Sequence, residues 1–171
     1  MQEAVEAVRP LAGQWGQLSA AAVPAISLTS HLSDHDLAAF AAVQAGAGGD
    51  YVEALDLLAE ATAELDAARA LRDRMARTLD TGTIDQWIGR NSIFDSALER
   101  LYAALRDSRG RVNPEVTAAF ADVEQAKRLL PPDTRALIVI VGDIAQGGLN
   151  QAAIAIEQVR GAIEAAIAAV H

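Results

Sequence analysis

Two histidines four residues apart are the first residues in this chain whose types and spacing suggest chemistry. The segment His31-Leu-Ser-Asp-His35 has an imidazole at each end and a carboxylate between them. On a helix, such a pair lies on one face and can hold a metal ion. Ser33, however, is typical of a helix N-cap, which would leave His31 before the helix. No glutamate occupies the general-base position, so we predict solvated histidines at a helix start and no metal site.

A second polar group interrupts the apolar C-terminal segment. Its members share one helical face or adjoin that face: Asp143, Gln146, Gly147, Gly148 and Asn150. Two interpretations stay open. An exposed stripe is favoured because Glu157 and Glu164 continue the seven-residue spacing. The alternative is a buried polar network or small-molecule site, opened by the missing side chains of the two glycines, in which every polar group needs a partner.

Carboxylates recur on two further predicted helices, where they could in principle hold two metals. They are Asp95 and Glu99, beside Tyr102, on one helix, and Glu53, Asp56, Glu60 and Glu64 on another. A di-metal bundle site also needs Glu-x-x-His pairs, and the chain has none. We therefore predict solvated helix faces and no cofactor. Phosphate-binding glycine loops and nucleophile motifs are also missing, which favours a non-enzymatic protein.

Composition limits the possible partners and the fold. Of the 171 residues, 51% are hydrophobic but only 4% are aromatic, and the difference is largely made up by 38 alanines. Alanine is the best helix former. The net charge of −9 repels nucleic acid and anionic membrane surfaces. No apolar run is long enough for a membrane span, and the absence of cysteine excludes disulfides and thiolate chemistry.

Apolar residues recur at helical spacing in six segments separated by short polar turns. We predict a single all-α domain over residues 1–171, with about six antiparallel helices in an elongated bundle or a helical-repeat-like array. Pro24 is expected to end the first helix, and Ser33 to begin the second. The last helix is either continuous or broken at its double glycine. The predicted helices span about Glu3–Val23, then Ser33 to the glycine run Gly46-Ala-Gly-Gly49 that ends the second helix, and then Asp50–Asp80, Thr83–Asp107, Pro114–Leu130 and Asp133–Val170.

The same patterns also predict helix caps and core residues. Gly82 is expected to cap the third helix, and Thr83-Ile-Asp-Gln86 to open the fourth as a capping box. The polar run Arg90-Asn91-Ser92 is either a contact to the last helix or a solvent face. The apolar residues predicted to lie in the core include Trp15, Leu37, Phe40, Val43, Trp87, Val116, Phe120, Val123 and Leu130.

Small residues form a recognisable pattern between Leu37 and Ala61. Ala42 is followed by Gly49-x-Tyr51-x-x-Ala54, and Ala61 comes seven residues after Ala54 with Leu58 between them. The pattern resembles one tetratricopeptide-type helical hairpin over about 25 residues. This resemblance implies a helical hairpin packed as in such repeats, and a binding role.

These observations lead to two functional hypotheses of different classes. The first is a non-enzymatic helical domain for protein–protein interaction or scaffolding, with a protein partner or a second copy of the chain. The second is a small-molecule-binding or sensor bundle with its polar site beside Gly147-Gly148. A pocket of roughly several hundred Å³ there would favour the second hypothesis.

Overall fold

The computed structural model describes residues 2–77 and 80–130, together with Gly142, Ile154 and Glu157; for residues 2–22 it describes the backbone. Over these residues the protein is all-α, as predicted, and contains no strand. Four helices follow one another: α1 (Gln2–Gly48), α2 (Tyr51–Met75), α3 (Gly82–Asp107) and α4 (Pro114–Leu129). Each packs against the next along the chain. No helix in the described part is both long and apolar enough to cross a membrane.

The first two predicted helices are one helix in the structure. α1 continues through Pro24 and Ser33, so the predicted break at Pro24 and cap at Ser33 are wrong. An interior proline costs about 3 kcal/mol because one hydrogen bond is lost. Beyond it, Leu28 and Leu32 are buried on one face. Each buried leucine stabilises the helix by about 1.5–3 kcal/mol, which offsets the cost of the proline.

The turn between α1 and α2 follows the prediction closely. Gly49 has a φ of 88°, a left-handed conformation that favours glycine, and it follows the last residue of α1. Asp50 then caps α2 by accepting a hydrogen bond from the backbone N–H of Glu53 at 3.1 Å. The two helices therefore form an antiparallel hairpin with a two-residue connection.

The predicted end of α2 is wrong, whereas α3 begins within one residue of the predicted Thr83. α2 ends at Met75 and not near Asp80, and Gly82, predicted to cap that helix, is the first residue of α3. The N-cap is Thr81, with the backbone N–H of Asp85 donating to its carbonyl at 2.9 Å. Asp80 accepts from the N–H of Gly82 at 2.9 Å, and this bond satisfies one of the free donors at the start of α3.

Asn113 and Pro114 begin α4 as predicted. The Asn113 side chain accepts from the backbone N–H of Val116 at 2.8 Å. The buried seam of α4 consists of Val116, Ala119, Val123 and Ala126. Phe120, predicted to be buried, is 55% exposed because its neighbour Ala119 takes the place on that seam.

Among the described residues, the core consists of two hydrophobic clusters along the bundle. The lower cluster lies near the α2–α3 turn and comprises Ala25, Leu28, Leu32, Leu65, Ala68, Leu71, Met75, Ile84, Trp87 and Ile88. The upper cluster lies near the α1–α2 turn and includes Ala42, Ala54, Leu58, Ala97, Leu98, Leu101, Tyr102 and the α4 seam. Trp87 is buried as predicted. Along α1 and α3, polar residues separate the two clusters.

The α1–α2 hairpin brings together the small residues that carry the tetratricopeptide-type resemblance. Ala42, Ala54 and Ala61 are fully buried, and Leu58 is buried beside them. Such small side chains let two helices approach closely. The hairpin is thus a feature of the structure, while the relationship to that repeat family stays a prediction.

Candidate functional site

A buried histidine lies between two carboxylates where α1 faces α3. Nε2 of His35 is 3.0 Å from Oδ2 of Asp95, and Nδ1 is 3.1 Å from Oδ1 of Asp36. Both ring nitrogens can donate hydrogen bonds only when the imidazole is protonated. Burial opposes that charge, but hydrogen bonds and electrostatic attraction from the two carboxylates outweigh it and raise the pKa of His35 from 6.5 to about 9. His35 is therefore a cation at neutral pH.

The partners of His35 on α3 come from one ladder of residues four apart. Trp87, Asn91 and Asp95 share a face of α3. The rings of His35 and Trp87 meet edge to face, with centroids 5.6 Å apart and planes at 78°. The side-chain amide of Asn91 donates to the carbonyl of Trp87 at 2.9 Å. We call His35, Trp87, Asn91 and Asp95, together with the partly exposed Asp36, the buried polar cluster.

The buried polar cluster holds charge but is closed to a substrate. His35 and Asp95 are 1% and 3% exposed. Oδ1 of Asp95 and Nε1 of Trp87 are buried with no hydrogen-bond partner. An unpaired buried polar atom costs about 1–3 kcal/mol. The cluster therefore stabilises the bundle less than an apolar layer would, and the His35–Asp95 pair makes separation of α1 from α3 costly.

Sequence reasoning missed this cluster. His35 was predicted to be solvated and is buried, because α1 continues through Ser33 and turns His35 onto the core face. Asp95 and Tyr102 were assigned to a solvated face, yet both are buried. The polar run that contains Asn91 was predicted to be either a contact to the last helix or a solvent face. In the structure Asn91 is buried and contacts Trp87. The i,i+4 spacing of Asn91 and Asp95 from the apolar Trp87 was the available signal.

Ion pairs also connect the helices nearer the surface. His31 on α1 lies 2.5 Å from Glu64 on α2, and both are about one-third exposed. The other pairs between helices are Arg72–Asp85 from α2 to α3 at 2.6 Å and Arg100–Asp122 from α3 to α4 at 3.4 Å. In the described part of the chain, each neighbouring pair of helices thus has one such contact near the surface, and the one between His31 and Glu64 is an ion pair only when His31 is protonated. Of the predicted solvated carboxylates on α2, Glu53, Asp56 and Glu60 are exposed.

The face of α1 that points away from the core carries large apolar side chains. Val23 and Ile26 are each 63% exposed, and Leu37 and Phe40 are each 66% exposed. Leu37 and Phe40 were predicted to be buried; the continuous α1 instead directs Leu28, Leu32 and His35 inward. Together with Ser30 and Ser33, these four apolar residues lie alternately three and four positions apart along α1. This spacing is typical of a helix face that pairs with another helix. We call these six residues the α1 outer face.

A shallow depression of about 370 Å³, open to solvent, adjoins the lower end of the α1 outer face. Its described lining is Ala25, Ile26, Thr29, Ser30, Ser33, Asp34 and Gly142. Gly142 belongs to the apolar C-terminal segment of the chain. The predicted site residues Asp143, Gln146, Gly147, Gly148 and Asn150 lie outside the described residues, as does the side chain of Trp15.

Within the described part of the chain, no group of three or more histidine, aspartate or glutamate side chains is arranged to hold a metal ion. His31 and His35 in particular turn to different carboxylates, Glu64 and Asp95. Comparison of the chain with protein-family models, curated proteins and solved structures gives no match.

Proposed function

We propose that this chain is a non-enzymatic helical interaction module, and that the α1 outer face binds an amphipathic helix of a partner protein. The observation that carries this proposal is the exposure of Val23, Ile26, Leu37 and Phe40 on one side of a single helix. Exposed apolar residues at this spacing are the anchors that helix-in-groove and helix-pairing interfaces use.

The charge around this face defines the chemistry of the partner. No lysine or arginine occurs from Pro10 to Ala68, while the same stretch contains eight carboxylates. Two of these carboxylates, Asp34 and Asp36, lie on α1 just before Leu37, with Asp36 also hydrogen-bonded to His35; the other six belong to the α1–α2 turn and to α2. A partner helix with apolar anchors and flanking lysine or arginine residues would therefore be attracted, and an acidic helix would be repelled.

The contacts of the two histidines in the described part of the chain support a non-enzymatic role. The histidine with the strongest carboxylate contacts, His35, has no access to solvent, and His31 is held by Glu64 at the α1–α2 boundary. The alternative function, a small-molecule bundle with its site beside Gly147-Gly148, stays a proposal about residues outside the described ones.

A designed peptide tests the proposal directly. We expect a helical peptide with leucine at heptad positions and lysine beside them to bind the protein, and its glutamate counterpart to bind much more weakly. A Leu37→Ser/Phe40→Ser double variant should lose at least tenfold in affinity, because two exposed anchors of this size contribute about 1–2 kcal/mol each at interfaces. Fluorescence anisotropy with labelled peptides measures both.

The matched control uses a phenylalanine of similar exposure on another helix. Phe120→Ser on α4 should leave peptide affinity unchanged. Equal loss in the Phe120→Ser and Leu37→Ser/Phe40→Ser proteins, or no preference for the basic peptide, would show that the α1 outer face is not the binding surface.

A further inference from the structure

The exposed residues of α1 form a stripe that is only as wide as the contact face of one helix pair. From residue 23 to residue 47, the exposed residues other than Asp34 lie alternately three and four positions apart: Val23, Ile26, Ser30, Ser33, Leu37, Phe40, Gln44 and Ala47. All other residues of this stretch are buried or half-buried. A stripe this narrow matches the face that one helix presents to a single partner helix in a two-stranded coiled coil.

The residue types of the α1 outer face follow the same order in both directions. Two large apolar residues come first, two serines follow, and two large apolar residues end the face: Val23, Ile26, Ser30, Ser33, Leu37 and Phe40. If two copies of α1 pair antiparallel about the midpoint between Ser30 and Ser33, then Val23 faces Phe40 of the second copy and the serines face each other. A shift of seven residues would set apolar side chains against serines. The face is therefore complementary to itself.

Charge favours the antiparallel orientation over the parallel one. A parallel pair would place two α1–α2 turns side by side, and the turn and the start of α2 carry three carboxylates: Asp50, Glu53 and Asp56. In the antiparallel pair these regions lie at opposite ends. The residues that flank the contact then combine Asp34 with Ser27 of the second copy, and Asp36 with Thr29 of the second copy. Neither carboxylate of α1 faces another carboxylate, so like-charge repulsion along the contact is avoided.

We propose that the α1 outer face binds the α1 outer face of a second copy in an antiparallel two-fold dimer, and that a partner helix displaces this second copy. The dimer goes beyond the proposed function, because it needs no other protein. Only the displacement rests on the proposed function.

The size of the face sets the strength of the dimer. The four exposed apolar side chains of each copy would together remove on the order of 1,000 Å² of surface from water, which is at the low end for specific interfaces. We therefore expect a weak dimer with a dissociation constant on the order of 10 μM. A dimer of this strength leaves the face accessible to a partner helix with complementary charge.

Sedimentation equilibrium between about 2 and 500 μM protein tests the dimer. We expect a reversible monomer–dimer equilibrium without larger species, because a two-fold interface closes on itself. Leu37→Ser/Phe40→Ser should weaken the dimer by at least about tenfold. The control Phe120→Ser, at an exposed position of α4, should leave it unchanged. A wild-type protein that stays monomeric over this range would overturn the proposal, whether the face is free or covered by the chain's own C-terminal segment.

A second pair of variants tests the serines at the centre of the contact. Ser30→Leu/Ser33→Leu replaces the facing hydroxyls with apolar side chains and should tighten the dimer by at least about tenfold. Ser96→Leu, at an exposed position of α3, is the matched control and should not change the dissociation constant. An unchanged constant in the α1 variant, or equal tightening in the α3 variant, would overturn the proposal.

A spin label at one position distinguishes the two orientations. The chain has no cysteine, so Gln44→Cys gives a single labelling site. In the antiparallel dimer the two labels lie about 37 Å apart along the helix axis, because 25 residues at 1.5 Å each separate their levels. A parallel dimer would place them within about 20 Å. Double electron–electron resonance measures this distance, and the short value would overturn the antiparallel assignment.

Salt and peptide separate the dimer from the proposed function. Each copy has a net charge of −9, so added salt should tighten the dimer by screening repulsion and weaken binding of the basic peptide. Saturating basic peptide should convert the dimer into complexes of one chain with one peptide. A dimer that persists with saturating peptide bound would overturn the displacement. If the protein dimerises but binds no peptide, the proposed function is wrong and the dimer stands; if it binds peptide but never dimerises, only the dimer is wrong.

Discussion

Nε2 of His35 lies 3.0 Å from Oδ2 of Asp95, in the polar layer between the two hydrophobic clusters of the bundle. In chain order, His35 falls between Leu32 of the lower cluster and Ala42 of the upper cluster. Asp95 falls likewise between Ile88 and Ala97. The pair therefore sets the register of α1 against α3, because any sliding of one helix would separate two buried charges.

This pair predicts that the protein loses stability at alkaline pH. The folded-state pKa of His35 is about 9, since the attraction of Asp36 and Asp95 exceeds the effect of burial. Because the unfolded-state value is about 6.5, the folded state holds this proton more tightly. The contribution is fully present below about pH 6.5 and is lost as pH rises through about 9, by roughly 3 kcal/mol.

Urea unfolding at pH 6 and pH 9.5 measures this change. The wild-type protein should lose a few kcal/mol of unfolding free energy between the two values, and a His35→Gln variant should lose much less. His31→Gln is the matched control and should retain the wild-type change, because the His31–Glu64 pair is partly exposed. A wild-type protein equally stable at both values would contradict the assignment.

Replacing Asp95 alone should be far more damaging than replacing both members of the pair. Asp95→Asn leaves the buried His35 with Asp36 as its only carboxylate, and the removal of one member of a buried ion pair costs about 3–5 kcal/mol. The His35→Leu/Asp95→Leu double variant removes both buried charges and should be less destabilised than Asp95→Asn. Chemical denaturation of the wild type and these two variants measures the order.

An exposed ion pair supplies the control for that experiment. Arg100 and Asp122 are both more than half exposed. Asp122→Asn should therefore change the free energy of unfolding by less than about 1 kcal/mol. If it cost as much as Asp95→Asn, burial would not be the reason for the effect at Asp95.

The positions of the helices could be predicted from the sequence better than the places where a helix continues without a break. The ends marked by local chemistry were correct at Gly49, Asp50 and Asn113, where a cap acts over a few residues. The break at Pro24 was wrong because the burial of Leu28 and Leu32 is a tertiary effect that a local proline rule does not include. Leu37 and Phe40 were predicted to face inward from a short segment alone. Over the whole of α1 the buried face is that of Leu28, Leu32, His35 and Ala42, which leaves Leu37 and Phe40 on the opposite side.

The buried polar cluster shows why site prediction from this sequence had a limit. Within α3, Asn91 and Asp95 follow Trp87 at four-residue spacing, which is visible without a structure. Their partner His35 lies 60 residues before Asp95, and nothing local couples the two. Only the packing of α1 against α3 makes one cluster of them, and burial then changes their protonation.

The start of α4 predicts a measurable capping energy. The Asn113 side chain accepts from the backbone N–H of Val116, one of the donors that a helix start leaves free. Asn113→Ala should reduce the free energy of unfolding by about 1 kcal/mol, whereas Asn113→Asp should retain most of it. Thermal unfolding of both variants distinguishes them. A smaller loss for alanine than for aspartate would show that the cap does not form.

Replacing either of two glycines in the last turn of α1 with alanine should change the free energy of unfolding, but in opposite directions. A Cβ at Gly46 would lie 2.3 Å from Cε1 of Tyr102, so the tyrosine ring would have to move. That ring is buried and stacked on Tyr51 with centroids 6.4 Å apart, which leaves it little room. A Cβ at Gly48, by contrast, would meet no atom within 4 Å.

Gly46→Ala should therefore destabilise the protein by about 1–2 kcal/mol, because overpacking exceeds the gain in helix propensity. Gly48→Ala should be neutral or stabilising by up to about 1 kcal/mol. Combining Gly46→Ala with Tyr102→Leu should recover part of the loss, measured against Tyr102→Leu alone in urea. If Gly46→Ala were as stable as Gly48→Ala, the ring of Tyr102 would not lie against α1 in solution.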